Sequence, residues 1–235
     1  MKILLTPEWF TQFDVAIEVF SFIILALFFA FSLKSYRLNK NKKCLYLGVS
    51  FLLIALGELA TILTKFILFY DTTFTQNIGR MIVTYNIIKS VDIFYDMGFF
   101  LYKLLTLAGL YILYRFPLKK LATGDVLLAI FFLIISSLAG QQIFHIFHIA
   151  VIILLALIVN NFYATYKKNH LENTKILIIS LSILTLSHIM FMLSLKGIMY
   201  ALAQIMQLVS YVILLVIIIK ILKNEKNIFK YYRRK

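Results

Sequence analysis

Seven apolar runs, each long enough to cross a bilayer, decide what this chain can fold into. They cover residues 13–33, 45–68, 91–114, 121–138, 143–166, 176–195 and 200–222. A hydrocarbon core about 30 Å thick needs roughly 20 residues at about 1.5 Å of rise each. The expectation is an all-α polytopic membrane protein of seven transmembrane helices, forming a single domain over residues 1–235. Composition agrees: 62% of the residues are hydrophobic, with only 8 glycines and 2 prolines to spare for loops.

Charge then sets the orientation. Lys and Arg number 24 against 10 Asp and Glu, for a net charge of +14. In a soluble chain that excess would suggest nucleic acid. Here the basic residues fall in short clusters between apolar runs, so nucleic acid is not an expected partner and the lipid bilayer is. The clusters follow the first, third, fifth and seventh runs: Lys34 to Lys43, Arg115 to Lys120, Lys167 to Lys175, and the tail 223–235. The positive-inside rule therefore predicts an external N-terminus and a cytoplasmic C-terminus in the cell membrane. Asp14 and Glu18 interrupt the start of the first run, which argues against a cleaved signal peptide. The longest connection, 70–90, spaces Ile78, Met81, Ile82, Tyr85 and Val91 like an interfacial amphipathic segment. Cys44 is the one cysteine and has no metal-ligand spacing around it.

An internal repeat is expected as well. A gapless shift of 130 positions pairs Tyr36 with Tyr166, Asn39 with Asn169, Ser50 with Ser180 and Glu58 with His188. The reading is a 3+1+3 plan: unit one at about 13–115, a linker helix at about 121–138, and unit two at about 143–222. Such parallel units are related by an axis along the membrane normal.

The candidate site lies within the spans. Asp92, Asp96 and Lys103 share one helix face, being about 40° and 20° apart at 100° per residue. Charges in hydrocarbon cost about 2.5–3.5 kcal/mol each on the insertion scale, so that face should meet protein or water. Depth counted along each span puts Lys103 near the midplane, with Glu18, Glu58, Asp96, His148, His188, Gln204 and Gln207 on its outer side. Tyr200, Gln204, Gln207 and Tyr211 form one stripe at i, i+4, i+7 and i+11. The expectation is an outward-opening polar pocket with ligand-binding candidates Glu18, Glu58, Asp96, Lys103, Tyr200, Gln204, Gln207 and Tyr211. A mid-membrane ammonium needs a carboxylate nearby, and Lys103 is expected within one water of Glu58 or Asp96. Lys65 and Lys220 are expected to snorkel to headgroups, and Asp14 and Asp92 to sit at the interface. His145, His148 and His188 are candidate ligands of a transition metal. Ser180, Ser187 and Ser194 recur every seven residues, as close helix packing requires.

Several chemistries drop out. There is no phosphate-binding glycine loop, HExxH pair or GxSxG elbow. The last run carries only Lys220, at its far end, so a retinal Schiff base is disfavoured.

The stretches 186–191 (LSHIMF) and 203–215 (AQIMQLVSYVILL), with Glu18-Val19-Phe20 and the 36–41 corner YRLNKN, resemble a family of archaeal seven-helix membrane proteins. Related segments serve as input regions of membrane sensors. Ala203-Gln204 stands where that family's pattern carries Gly-His, so no shared histidine site is implied. The resemblance and the Lys/Asn/Ile-rich composition imply a prokaryotic, archaeal source. Three functions stay open. One is a sensing or receptor module for a small ligand or ion, acting through a cytoplasmic signalling protein. The second is a small-solute or ion transporter with the 3+1+3 plan of the SWEET carriers. The third is a metal-binding membrane enzyme.

Overall fold

The computed structural model describes residues 8–40, 42–78, 81–115, 123–142, 144–194 and 197–232. Within these, side chains are described except at 8, 11–12, 39, 43, 67–95, 123–125, 128, 141–142, 144 and 221–232. Asp92, the expected amphipathic face at 78–91 and the side chains of the basic tail thus lie outside the described residues.

The described chain is all helical. A 3-10 turn (Glu8–Phe10) leads into α1 (Thr11–Asn39), α2 (Lys42–Ile78), α3 (Met81–Arg115), α4 (Thr123–Gln142), α5 (Phe144–Asn169), α6 (Glu172–Met192) and α7 (Gly197–Tyr232). Among the described residues, six of the seven are long and apolar enough to cross a membrane. The seventh expected span, α4, offers a shorter apolar stretch, Ala129–Gly140.

The connection expected at 70–90 is instead mostly helix, with α2 reaching Ile78 and α3 starting at Met81. No proline or glycine stands between Leu68 and Ile78, so the backbone meets no breaker before Gly79. Elsewhere the corners follow local rules. Lys40, φ 52°, and His170, φ 49°, are left-handed, and their N–H groups bond the carbonyls of Tyr36 and Tyr166. Each closes an odd-numbered helix with an αL cap, and each is set in a basic cluster where cations suit the helix C-terminus.

Helices α1, α2 and α3 pack in chain order, and so do α5, α6 and α7. The two trios close on one another where α1 meets α7 and where α3 meets α5, while α4 lies against α3 and α5. One apolar core runs through both trios, including Leu25, Phe28, Phe51, Leu107, Leu113, Val151, Leu155, Leu181 and Leu214. Outward-facing positions such as Ile23, Leu63, Ile153, Leu186, Val209 and Val216 are exposed, as lipid-facing residues should be.

Candidate functional site

The polar interior gathers in the half of the bundle nearest the start of α1, in two clusters. The first joins α1, α2 and α7. Asp14 and Glu18 are one turn apart on α1, so both carboxylates leave the same face. Lys65 on α2 reaches between them, with Nζ 2.5 Å from Asp14 Oδ2 and 2.6 Å from Glu18 Oε1. The Tyr200 hydroxyl donates to the Asp14 carboxylate at 3.3 Å and accepts from Gln204 Nε2 at 3.2 Å. Deeper in, Glu58 Oε1 accepts from Gln207 Nε2 at 3.3 Å and from the Tyr211 hydroxyl at 3.5 Å. Tyr211 is also within 3.5 Å of Gln207 Nε2. Glu18 and Glu58 act on each other electrostatically, and both act on Tyr102 of α3. Asp14, Glu18, Glu58, Gln204 and Gln207 are all buried.

This cluster corrects one expectation: Lys65 does not snorkel to headgroups but is held by two carboxylates. Asp14, expected at the interface, stands at the start of the first span and is buried within the bundle. The periodicity held the signal, since Glu58 and Lys65 are seven apart and share a face of α2, as Asp14 and Glu18 do on α1.

The second cluster joins α3, α4, α5 and α6. Lys103 is 8% exposed, and its Nζ donates to the Gly140 carbonyl at 2.8 Å. Gly140 lies in the last turn of α4, where carbonyls lack helical partners and the macrodipole is negative. A lysine is therefore a fitting cap there. The missing side chain of Gly140 lets Phe147 approach closely, because a Cβ would stand 3.1 Å from Phe147 Cβ, while Lys103 Cδ would be at ordinary contact, 3.5 Å. The Asp96 charge acts on Lys103, as the shared face of α3 requires. Asp96 itself is exposed. Glu58 bonds α7, so of the two carboxylates expected near Lys103 it is Asp96 whose charge acts on it.

Next to Lys103, His148 and His188 meet through their Nδ1 atoms at 3.0 Å. One Nδ1 must donate and the other accept, so at least one ring is neutral. Phe147 and Phe191 pack on both rings, with centroids between 5.2 and 6.4 Å. Phe191 also touches Tyr200, at 5.3 Å, and so links the two clusters. Among the described residues no group of three or more His, Cys, Asp or Glu side chains is placed to hold a metal ion. The three-histidine set of His145, His148 and His188 is not assembled; two of the three come together.

Of the expected ligand-binding residues, Glu18, Glu58, Tyr200, Gln204, Gln207 and Tyr211 fall in the first cluster, while Asp96 and Lys103 fall with the second. The serines expected to pack helices do so twice. Ser180 Oγ donates to the Ser210 carbonyl and Ser187 Oγ to that of Ala203, both at 2.9 Å. Ser194 bonds its own helix instead, at Phe191.

Comparison with known protein families, with characterised proteins and with solved structures finds no match to the chain.

Proposed function

We propose that the protein is a multi-pass membrane receptor module. It takes a small ligand or ion from outside into the cluster between α1, α2 and α7 and signals through a cytoplasmic partner at its basic loops and tail. The observation that carries this reading is the composition of that cluster. Three carboxylates, two carboxamides and the Tyr211 phenol are buried between unbroken helices of both trios, with the Lys65 ammonium and the Tyr200 phenol half-buried beside them. Buried polar groups at membrane depth are costly and, when not needed for packing, mark functional sites. The resemblance to archaeal membrane-sensor input regions points the same way.

A transporter of 3+1+3 plan is the second reading, and a different observation favours it. The helix packing is unchanged when α1, α2 and α3 are exchanged with α5, α6 and α7: the α1–α7 contact becomes the α5–α3 contact. Residue register supports the same repeat. Ser210 Oγ donates to the Ser180 carbonyl at 2.9 Å, and a Cβ on Gly109 would stand 2.7 Å from the Ser50 carbonyl. Ser187 Oγ meets the Ala203 carbonyl at 2.9 Å, and a Cβ on Gly57 would stand 3.2 Å from that of Tyr102. In both pairs of contacts the α2 and α6 residues are 130 apart and the α3 and α7 residues 101 apart. On that register Glu18 corresponds to His148, Glu58 to His188, Thr106 to Gln207 and Lys103 to Gln204. All eight are buried.

Thermal unfolding of the purified protein in lipid nanodiscs, screened against amines, amino acids, sugars, carboxylates and inorganic ions, tests the binding reading. A stabilising solute that acts on wild type and not on Glu58→Gln is the expected result. Loading the same solute into proteoliposomes separates the two functions. Accumulation or counterflow would replace the receptor with a carrier, and stabilisation by no solute would remove both.

A further inference from the structure

We propose that the seam between α1 and α7 binds the ammonium group of a small organic amine, held by Glu18 Oε2 and Gln204 Oε1. The inference rests on the small-ligand reading above and names its ligand class. Both oxygens are buried and have no hydrogen-bond partner among the described residues. Glu18 and Gln204 are each 5% exposed, so bulk water does not satisfy them. A buried acceptor left bare costs about 1–3 kcal/mol, more for a charged group, and two in one cluster call for an occupant that donates.

With the Tyr200 proton on the Asp14 carboxylate, Gln204 offers that hydroxyl an N–H. The amide oxygen is therefore the end left over. Glu18 is committed in the same way: Oε1 takes Lys65, and Oε2 remains. The two spare oxygens terminate one continuous chain of contacts, Glu18–Lys65–Asp14–Tyr200–Gln204.

Charge favours a cation, because Asp14 and Glu18 share a single ammonium, Lys65. Geometry selects an N–H donor over a metal ion, because no set of three ligating side chains is gathered among the described residues. The internal register adds an independent argument. The counterpart of Gln204 is Lys103, and the counterpart of Glu18 is His148. Lys103 is the chain's own alkylammonium at that register, and it bonds the Gly140 carbonyl of α4 at 2.8 Å. The α1–α7 seam has a carboxamide where that lysine would be.

The test uses the full chain in lipid nanodiscs, with its unfolding midpoint followed in methylammonium, tetramethylammonium or sodium chloride at equal ionic strength. Methylammonium should raise the midpoint saturably, by about 2–4 °C. Tetramethylammonium, with the same charge and no N–H, should leave it at the sodium value. Gln204→Leu should weaken the methylammonium response at least about tenfold, the equivalent of losing one hydrogen bond to a charged group. Equal midpoints in all three salts would mean that water alone fills the seam, and sodium matching methylammonium would mean an ion site of another kind; either overturns the proposal. So would an undiminished response in Gln204→Leu. If methylammonium fails while another solute class still stabilises through Glu58, the receptor reading survives without this site.

Discussion

Lys65 and Lys103 are the two deep lysines of the bundle, and their surroundings differ in a way that mutation can read. Lys65 neutralises two buried carboxylates, so Lys65→Met strands both. Breaking a buried pair from one side costs about 3–5 kcal/mol, and thermal unfolding of that variant should show a loss of this size. Lys65→Met combined with Asp14→Asn should then cost less than the separate losses added together. Lys103 instead caps a neutral carbonyl at the end of α4, with the exposed Asp96 as its charge partner. Lys103→Met should therefore be the milder change. Because Glu58 and Lys103 lie in different clusters, Lys103→Met and Glu58→Gln should add within about 0.5 kcal/mol. A coupling of 1 kcal/mol or more in that double-mutant cycle would contradict the separation. The sequence made the Asp96–Lys103 face legible, because helical periodicity is written in residue types. It could not reveal Gly140 as the partner, since a backbone carbonyl leaves no mark in the sequence. The Lys65 pairing was readable from the seven-residue spacing to Glu58, but the nearness of Lys65 to the span end suggested lipid headgroups instead.

Among the elements, α2 and α3 make the tightest contact, and glycines set it. A Cβ on Gly109 would lie 2.7 Å from the Ser50 carbonyl oxygen and from Ile54 Cγ1. The carbonyl belongs to helix backbone and cannot yield as a side-chain tip can. Gly109→Ala should force α2 and α3 apart and cost about 1–3 kcal/mol despite the better helix propensity of alanine. The measurement is the unfolding midpoint, and an unchanged or raised value would show that the helices re-space freely. The equivalent crossing of α6 and α7 uses Ser180 and Ser210, whose hydroxyls each donate to the other's carbonyl at 2.9 Å. Small residues at both crossings follow from the absence of a hydrophobic drive between helices in lipid, where close van der Waals contact takes its place. Helix number and order were readable from the apolar runs. The ends of α2 and α3 were not, because residues 69–78 are too polar for a span and yet contain no helix breaker. For the run expected over α4, the described residues give a shorter apolar stretch, Ala129–Gly140.

At the scale of the whole molecule, the placement of the clusters makes orientation a functional question. Both lie toward the end of the bundle where α1, α5 and α7 begin, while Lys220 and Glu172 pair at the opposite end, joining α7 to α6. That opposite end also carries the basic residues that follow α1 and α5, including Lys40, Lys167 and Lys168. Retention of such clusters on the cytoplasmic side predicts that the carboxylate cluster opens outward. Cys44 is the one cysteine in the chain, which makes the prediction easy to test. Its sulfur accepts from Ser35 Oγ at 3.5 Å, so Cys44→Ser keeps a hydrogen-bonding group at that position and provides a thiol-free background. In intact cells a membrane-impermeant maleimide should label Thr6→Cys in this background and should reach Arg234→Cys only after permeabilisation. The reverse pattern would turn the carboxylate cluster toward the cytoplasm. A receptor for external ligands would then be excluded, because the route to Glu18 and Gln204 would start inside the cell, and the basic tail could no longer meet a cytoplasmic partner.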